Sequence, residues 1–289
     1  MPPAVHWHGN GQHWHLVPLP VTVPVAQPGD TFTSAQTFTN LIVRMNSPTD
    51  GWLMPYQVQS VGHAILFHYD GTAWQTITTP FVSTQAIFYQ FFGLASAGPN
   101  DLWVVGNHTD DSGSAGSGQT VFMAHYHNGQ WNTVTNLPSG PNGSIEDVVM
   151  ASPTNGWAAG QAGQGYQSLL WHYDGSTWQQ AALPPQLATQ NWIHMTVGAD
   201  GTLWAMNTNA IFQLVSGQWQ TLTVPNPSTD PLLGFRIDKI VPLASGDIWV
   251  MGNIAHQLSC PPLNTTGLGQ GVILHDHNGQ WSQTIEPVG

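Results

Sequence analysis

Basic side chains are almost missing from this chain: Arg44, Arg236 and Lys239 are the only arginines and lysines in 289 residues. A surface that tracks a nucleic-acid backbone or an anionic bilayer gathers several such cations, because its affinity comes from neutralised phosphates. Nucleic acid is thereby excluded as a partner. Fifteen carboxylates bring the formal net charge to −12, yet charged residues are only 6% of the chain, where an average soluble protein has about a quarter. The surface is therefore made of neutral polar groups. Cysteine is reduced to Cys260, which leaves no intrachain disulfide framework and no CxxC metal or redox motif. Long apolar runs are absent as well: Ile87 to Ala97 is interrupted by Gln90 and Gly93, so no segment reads as a membrane-spanning helix. Nor does any stretch keep a helical period. Met1-Pro2-Pro3 begins no signal peptide. The scarcity of lysine and the Asn/Thr/Gly-rich loops set the expectation of a secreted or cell-surface protein whose leader is absent from this numbering.

What is present is a repeat. The phrase SPTDGW...LFHYDGTAWQTITTP, ending at Pro80, returns as SPTNGW...LLWHYDGSTWQQAALP, ending at Pro184, and three looser copies end near Pro138, Pro225 and Pro287. Each copy carries two tryptophans. The first follows a turn, at Trp52, Trp103, Trp157, Trp204 and Trp249; the second follows a DG, NG or SG turn, at Trp74, Trp131, Trp178, Trp219 and Trp281. Copies are spaced by 41 to 62 residues, the length range of propeller blades. Within the third copy the chain reads as four strands: a at Val148 to Met150, b at Trp157 to Ala159, c at Leu169 to Tyr173, d at Trp178 to Ala182. Asp174-Gly175 joins c to d, because DG and NG tolerate the positive φ a hairpin turn needs.

These phrases resemble kelch-like and galactose-oxidase-like propellers, and most nearly the Trp-rich bacterial propeller repeats of the form S-x-x-D-G-W-A-V-G followed by L-L-H-Y-D-G-S-T-W. The resemblance implies an all-β fold: a β-propeller of five complete four-stranded blades, roughly 38–80, 81–138, 139–184, 185–225 and 226–289. It says little of function, since propellers host enzymes, glycan binders and scaffolds.

The strand count does not balance. Residues 1–20 hold a sixth c-d hairpin, followed by a connection over 21–37, but only five a-b pairs exist. The spare half-blade belongs to a sixth blade begun upstream, pairs with Val21 to Val25, or docks on a neighbouring subunit. An isolated hairpin is marginal in water and exposes unpaired edges. Its apolar residues Val5, Trp7, Trp14 and Leu16 are thus the candidates for self-association into an oligomer or fibre.

Counting back from each strand-b Trp aligns the starts of the inner strands. Eleven residues back stand Leu41, Phe92, Glu146, Ile193 and Asp238; ten back stand Ile42, Gly93, Asp147, His194 and Lys239, with Arg236 just upstream. Scarce charge thus gathers at one expected rim, and Glu146, Asp147, His194, Arg236, Asp238 and Lys239 are the candidate ligand-binding residues. The plainer reading is a set of inter-blade salt bridges. Glu146 and Asp238 are the only pair nominated for glycoside hydrolysis, which uses two carboxylates.

His6, His8, His13 and His15 form a candidate metal cluster, since His-Trp-His puts alternate side chains on one face and imidazole binds copper, nickel or zinc. Histidine also recurs at the end of strand c, at His68, His125, His172 and His275, where a structural place beside Trp is the simpler account. The recurrent tryptophans read as core, while Trp7, Trp171 and Trp192 fall outside the regular positions and are candidates to stack on sugars. Two long b-to-c connections, His108 to Thr120 and Ile254 to Gln270, are candidate binding loops. The expectation is a non-enzymatic extracellular scaffold without cofactor, partnered by itself or by an extracellular glycan or protein, with carbohydrate binding at the channel mouth as the alternative and glycoside hydrolysis behind it.

Overall fold

A computed structural model describes residues 5–9, 14–18, 41–55, 62–84, 86–110, 118–137, 142–163, 167–188, 193–230, 233–243, 246–256 and 270–285. Its strands form five four-stranded antiparallel sheets and one two-stranded sheet. Blade 1 holds β3 (Leu41–Ser47), β4 (Asp50–Pro55), β5 (Gly62–Tyr69) and β6 (Trp74–Ser83); blade 2 holds β7 (Ile87–Gly98), β8 (Asp101–Asp110), β9 (Gln119–His127) and β10 (Gln130–Thr133). Blade 3 holds β11 (Ser144–Ser152), β12 (Asn155–Ala162), β13 (Gln167–Tyr173) and β14 (Trp178–Ala181). Blade 4 holds β15 (His194–Val197), β16 (Leu203–Met206), β17 (Ile211–Val215) and β18 (Gln218–Leu222), and blade 5 holds β19 (Leu233–Pro242), β20 (Asp247–His256), β21 (Gln270–His277) and β22 (Gln280–Ile285). In every blade the strands pair in chain order, a to b to c to d. Five consecutive meanders of this kind make the chain a β-propeller repeat protein. It divides into two compact units, Met1–Ala181 with blades 1 to 3 and Ala182–Gly289 with blades 4 and 5.

The remaining sheet is the N-terminal hairpin, β1 (Val5–Gly9) with β2 (Trp14–Pro18), whose register sets Val5 opposite Pro18, Trp7 opposite Leu16, His8 opposite His15 and Gly9 opposite Trp14. His13 lies outside the described residues.

Strand pairing confirms the Trp-based alignment. The residue ten before each strand-b Trp pairs with the residue two after it: Ile42 with Met54, Gly93 with Val105, Asp147 with Ala159, His194 with Met206, Lys239 with Met251. One step further out the blades diverge. In blades 2, 3 and 5 the pairing skips Phe92, Glu146 and Asp238, each the extra residue of a β-bulge. In blade 1, Leu41 simply pairs with Pro55.

Three residues beyond the Trp, the bulged blades have Gly106, Gly160 and Gly252, where blade 1 has Pro55 and blade 4 has Asn207. A Cβ on these glycines would run into the carbonyl oxygens of Gln90, Ser144 and Arg236 respectively. Only glycine lets the two strands come that close, so W-x-x-G marks the bulge.

Within each unit the core lies between successive sheets. Trp52, Leu66, Phe81, Phe91 and Leu102 join blades 1 and 2; Trp103, Val105, Ile145, Val148 and Trp178 join blades 2 and 3; Met206, Ile211, Ile240 and Val250 join blades 4 and 5. In blades 1 and 2 the strand-b Trp wedges between its own sheet and the next: Trp103 lies 5.0 Å from Tyr173 and 5.2 Å from Trp178, and Trp52 lies 5.6 Å from Tyr126.

Candidate functional site

The charged candidates fall into the two units. In the first, the bulge at Glu146 turns its carboxylate back along its own sheet, where Oε1 accepts hydrogen bonds from Gln161 Nε2 at 2.8 Å and Ser144 Oγ at 3.2 Å. Burial pushes the Glu146 carboxyl up to about 7, against those two hydrogen bonds and with a small addition from Asp147. At neutral pH it is thus divided between acid and carboxylate. Asp147 is buried, and its Oδ1 accepts from the Val148 amide at 2.9 Å.

In the second unit the bulge residue Asp238 is exposed and accepts from Asn253 Nδ2 at 2.8 Å, while Arg236 Nε stands 3.8 Å from Asp238 Oδ1 on the same strand. Lys239 and His194 are exposed. Blades 3 and 5 therefore repeat one device, a bulged carboxylate held by the amide side chain four residues past the strand-b Trp, Gln161 or Asn253. Blade 2 has the same amide, Asn107, buried with neither side-chain atom hydrogen-bonded among the described residues, because its bulge residue is Phe92. The bulge was not foreseen from the sequence, although W-x-x-G announces it.

The recurrent histidines take the structural place expected of them. Each is the cross-strand partner of its blade's strand-b Trp and stacks on it: His68 on Trp52 at 4.3 Å, His125 on Trp103 at 3.9 Å, His172 on Trp157 at 4.0 Å and His275 on Trp249 at 4.0 Å. Two residues before the Trp, on the same strand face, stands Asp50, Asp101, Asn155 or Asp247. His68 Nε2 and His125 Nε2 lie 2.7 Å from Asp50 and Asp101, and His172 Nε2 lies 2.8 Å from Asn155 Oδ1. Burial lowers the His172 pKa. In blades 2 and 5 a second imidazole joins, His127 on Asp101 Oδ2 at 3.1 Å and His277 on Asp247 Oδ1.

A cleft of about 340 Å³ opens in blade 2 beside His108 of strand b and Thr120 to Phe122 of strand c. Its walls include Tyr89, His108, Phe122, Thr120, Thr133 and Thr135. Tyr89 lies 4.7 Å from His108 and 5.2 Å from Phe122, and burial raises its phenol pKa, which keeps the hydroxyl neutral. Both loops singled out from composition lie largely outside the described residues, 111–117 of one and 257–269 of the other; the ends of the first, His108 and Thr120, line the cleft. Trp171, offered as a sugar-stacking residue, is instead 0% exposed in the core between blades 2 and 3, because its place in the middle of strand c faces the adjacent sheet. Trp192 and the side chain of Trp7 are outside the described part.

No protein-family model and no curated protein matches the sequence. Among solved structures the chain is similar to YCF48 from Cyanidioschyzon merolae, with 14% identity and a TM-score of 0.48 over 89% of both chains. It is also similar to the GH74 xyloglucanase from Xanthomonas campestris, with 13% identity and a TM-score of 0.46, over 81% of this chain and 36% of that one. The WD40 domain of SCAP from fission yeast gives 9% identity and a TM-score of 0.37, over 83% of this chain and 61% of that one.

Proposed function

We propose that the chain is a non-enzymatic binding scaffold working outside the cell, and that it holds a neutral, hydroxyl-rich ligand, a glycan, in the blade 2 cleft. The cleft carries this reading. The rings of Tyr89 and His108 would stack on the C–H surface of a sugar, Thr133 and Thr135 would supply hydroxyls, and among the described residues no carboxylate, lysine or arginine lines the cleft. The rigid sheet positions these groups, as a scaffold should. Hydrolysis would require a second carboxylate across the scissile bond, whereas Glu146 is engaged by side chains of its own sheet. The scarcity of lysine supports the extracellular placement.

The test is a calorimetric titration of the intact chain with a panel of soluble neutral oligosaccharides, with product analysis after long incubation. Binding that weakens at least tenfold in Tyr89→Ala, without release of shorter sugars, is the expected result. Failure of every oligosaccharide to bind, or unchanged binding by Tyr89→Ala, overturns the glycan reading; released product overturns the non-enzymatic one.

A second reading, self-assembly through the N-terminal half-blade, is favoured by the hairpin's pairing. Among the described strands β1 and β2 pair only with each other, and a hairpin edge without a partner strand is a template for a neighbouring subunit. Light scattering on the intact chain and on a chain lacking residues 1–20 is expected to show assemblies only in the former.

A further inference from the structure

Blades 2 and 5 each gather one carboxylate and two imidazoles, and they do so through the same phrase, H-x-H-N-G-Q-W, in His125 to Trp131 and His275 to Trp281. In blade 2 one ligand atom from each of Asp101, His125 and His127 lies within 4.8 Å of the other two. Three contacts place them. The His125 ring is pinned on Trp103 with an interplanar angle of 5°. Asp101 and His127 are direct cross-strand partners. The Asn128 carboxamide, 2.8 Å from His127 Nε2, holds the ring nitrogen that points away from Asp101. A metal-binding imidazole characteristically has its second nitrogen held in this way, and an amide supplies a donor or, turned over, an acceptor.

Blade 5 repeats the set with Asp247, His275, His277 and Asn278, the last 3.1 Å from His277 Nε2. Here His275 Nε2 is buried without a hydrogen bond among the described residues and stands 4.0 Å from Asp247 Oδ1. That separation is too long for a hydrogen bond. It suits two ligands of one ion, each bonded at about 2.0–2.2 Å, but the three ligand atoms of blade 5 do not all lie within 4.8 Å of one another as those of blade 2 do.

Blades 1 and 3 supply the contrast inside the same molecule. They have the same stacked histidine and the same Asp or Asn beneath it, but their third position is Asp70 or Asp174, which is engaged by its own loop. The stacked His on its Asp is thus general equipment of these blades. His127 and His277 are additions that the stack does not require, and the His127 side chain is 52% exposed, leaving room for water on the solvent side.

We propose that Asp101, His125 and His127 bind one divalent first-row ion of the zinc or copper type, completed by water, and that Asp247, His275 and His277 form a second, weaker site. Imidazole and carboxylate donors suit such ions, whereas calcium and magnesium take all-oxygen sets. This is independent of glycan binding at the cleft.

The experiment uses the intact metal-free chain in which His6, His8, His13 and His15 are replaced by Gln, so that the N-terminal histidines add no site. It is titrated with Zn2+ by calorimetry and with Cu2+ by electron paramagnetic resonance. Expected are uptake of zinc, a copper spectrum with two nitrogen ligands at the tighter site, at least tenfold weaker binding at that site in His127→Gln, and loss of the remaining uptake when His277→Gln is added. Near-UV circular dichroism of the tryptophans checks that each variant is folded; both substituted residues border surface turns. Absence of zinc and copper uptake overturns the proposal, as does unchanged uptake by the folded double variant.

Discussion

The c-to-d turns of blades 1 and 3 and those of blades 2 and 5 span the same number of residues from His to Trp, yet they close differently. In HYDGTAW and HYDGSTW the last paired residues are Tyr69 with Trp74 and Tyr173 with Trp178. A four-residue loop remains, organised by one aspartate: Asp70 Oδ1 accepts from the Thr72 and Ala73 amides, and Asp174 Oδ1 from those of Ser176 and Thr177. In the NGQW turns the ladder runs one pair further, to His127 with Gln130 and His277 with Gln280. Two residues then turn the chain, both at positive φ: 50° and 84° at Asn128 and Gly129, 53° and 82° at Asn278 and Gly279. Equal length hides two geometries. The choice decides whether the third side chain serves its own loop or lies across the ladder on the strand-b aspartate.

Substitution separates the blades further, and the largest effect follows burial. Blades 2 and 5 share the turn and the His-on-Trp stack, but Trp103 is 3% exposed and Trp249 36%. Trp103→Ala is expected to cost about 3–5 kcal/mol and Trp249→Ala about 1 kcal/mol in urea unfolding of the intact chain. Equal losses would mean that the turn and stack, rather than the adjacent sheet, set the local stability. Next comes the bulge: Gly160→Ala drives a Cβ against the Ser144 carbonyl and is expected to cost about 2–3 kcal/mol, measured in the same way.

Exchanging the turns has a smaller effect. Replacing residues 127–130 of blade 2, HNGQ, by the DGST of blade 3 is expected to change stability by about 1 kcal/mol or less. It should also remove the cross-strand amide contacts of the 127–130 pair in nuclear Overhauser spectra, leaving those of Tyr126 with Trp131.

The smallest effect is confined to acid. Hydrogen bonds from the Thr177 amide, the Ser176 hydroxyl and the Ser176 amide hold the Asp174 carboxyl down to about 2 from an ordinary 3.8. A depressed carboxylate contributes fully above its unfolded value and loses that contribution as pH falls toward its folded one. The Asp174 carboxyl carbon should therefore titrate near pH 2. Asp174→Asn should flatten the pH dependence of unfolding between about 4 and 2.

Five blades, their strand order and the alignment of inner-strand starts were legible because a Trp anchors each copy and pairing propagates from it without slippage. Trp-based counting placed Glu146 and Asp238 at equivalent positions, and the bulges bear that out. The bulge itself went unread, since its cause is the closeness of Gly160 to a carbonyl from another strand. The DG turn was read as equivalent to NG: Gly71 and Gly175 do take positive φ, at 93° each, but the aspartate's hydrogen bonds to following amides enlarge the loop. The blade 2 cleft was legible only as a loop of suggestive composition. Its walls, from Tyr89 to Thr135, come from all four strands of a sheet and meet only once those strands are paired.

The glycine after the strand-b Trp also has a bearing on how such a molecule diversifies. Because the bulge absorbs the extra residue, whatever occupies it is uncoupled from the inside-outside alternation of its strand. Phe92, Glu146 and Asp238, an aromatic, a half-buried acid and an exposed acid, occupy equivalent sites while the neighbouring pairs keep their register. W-x-x-G thus works as a socket: it marks where a blade can exchange one chemistry for another without renegotiating its core.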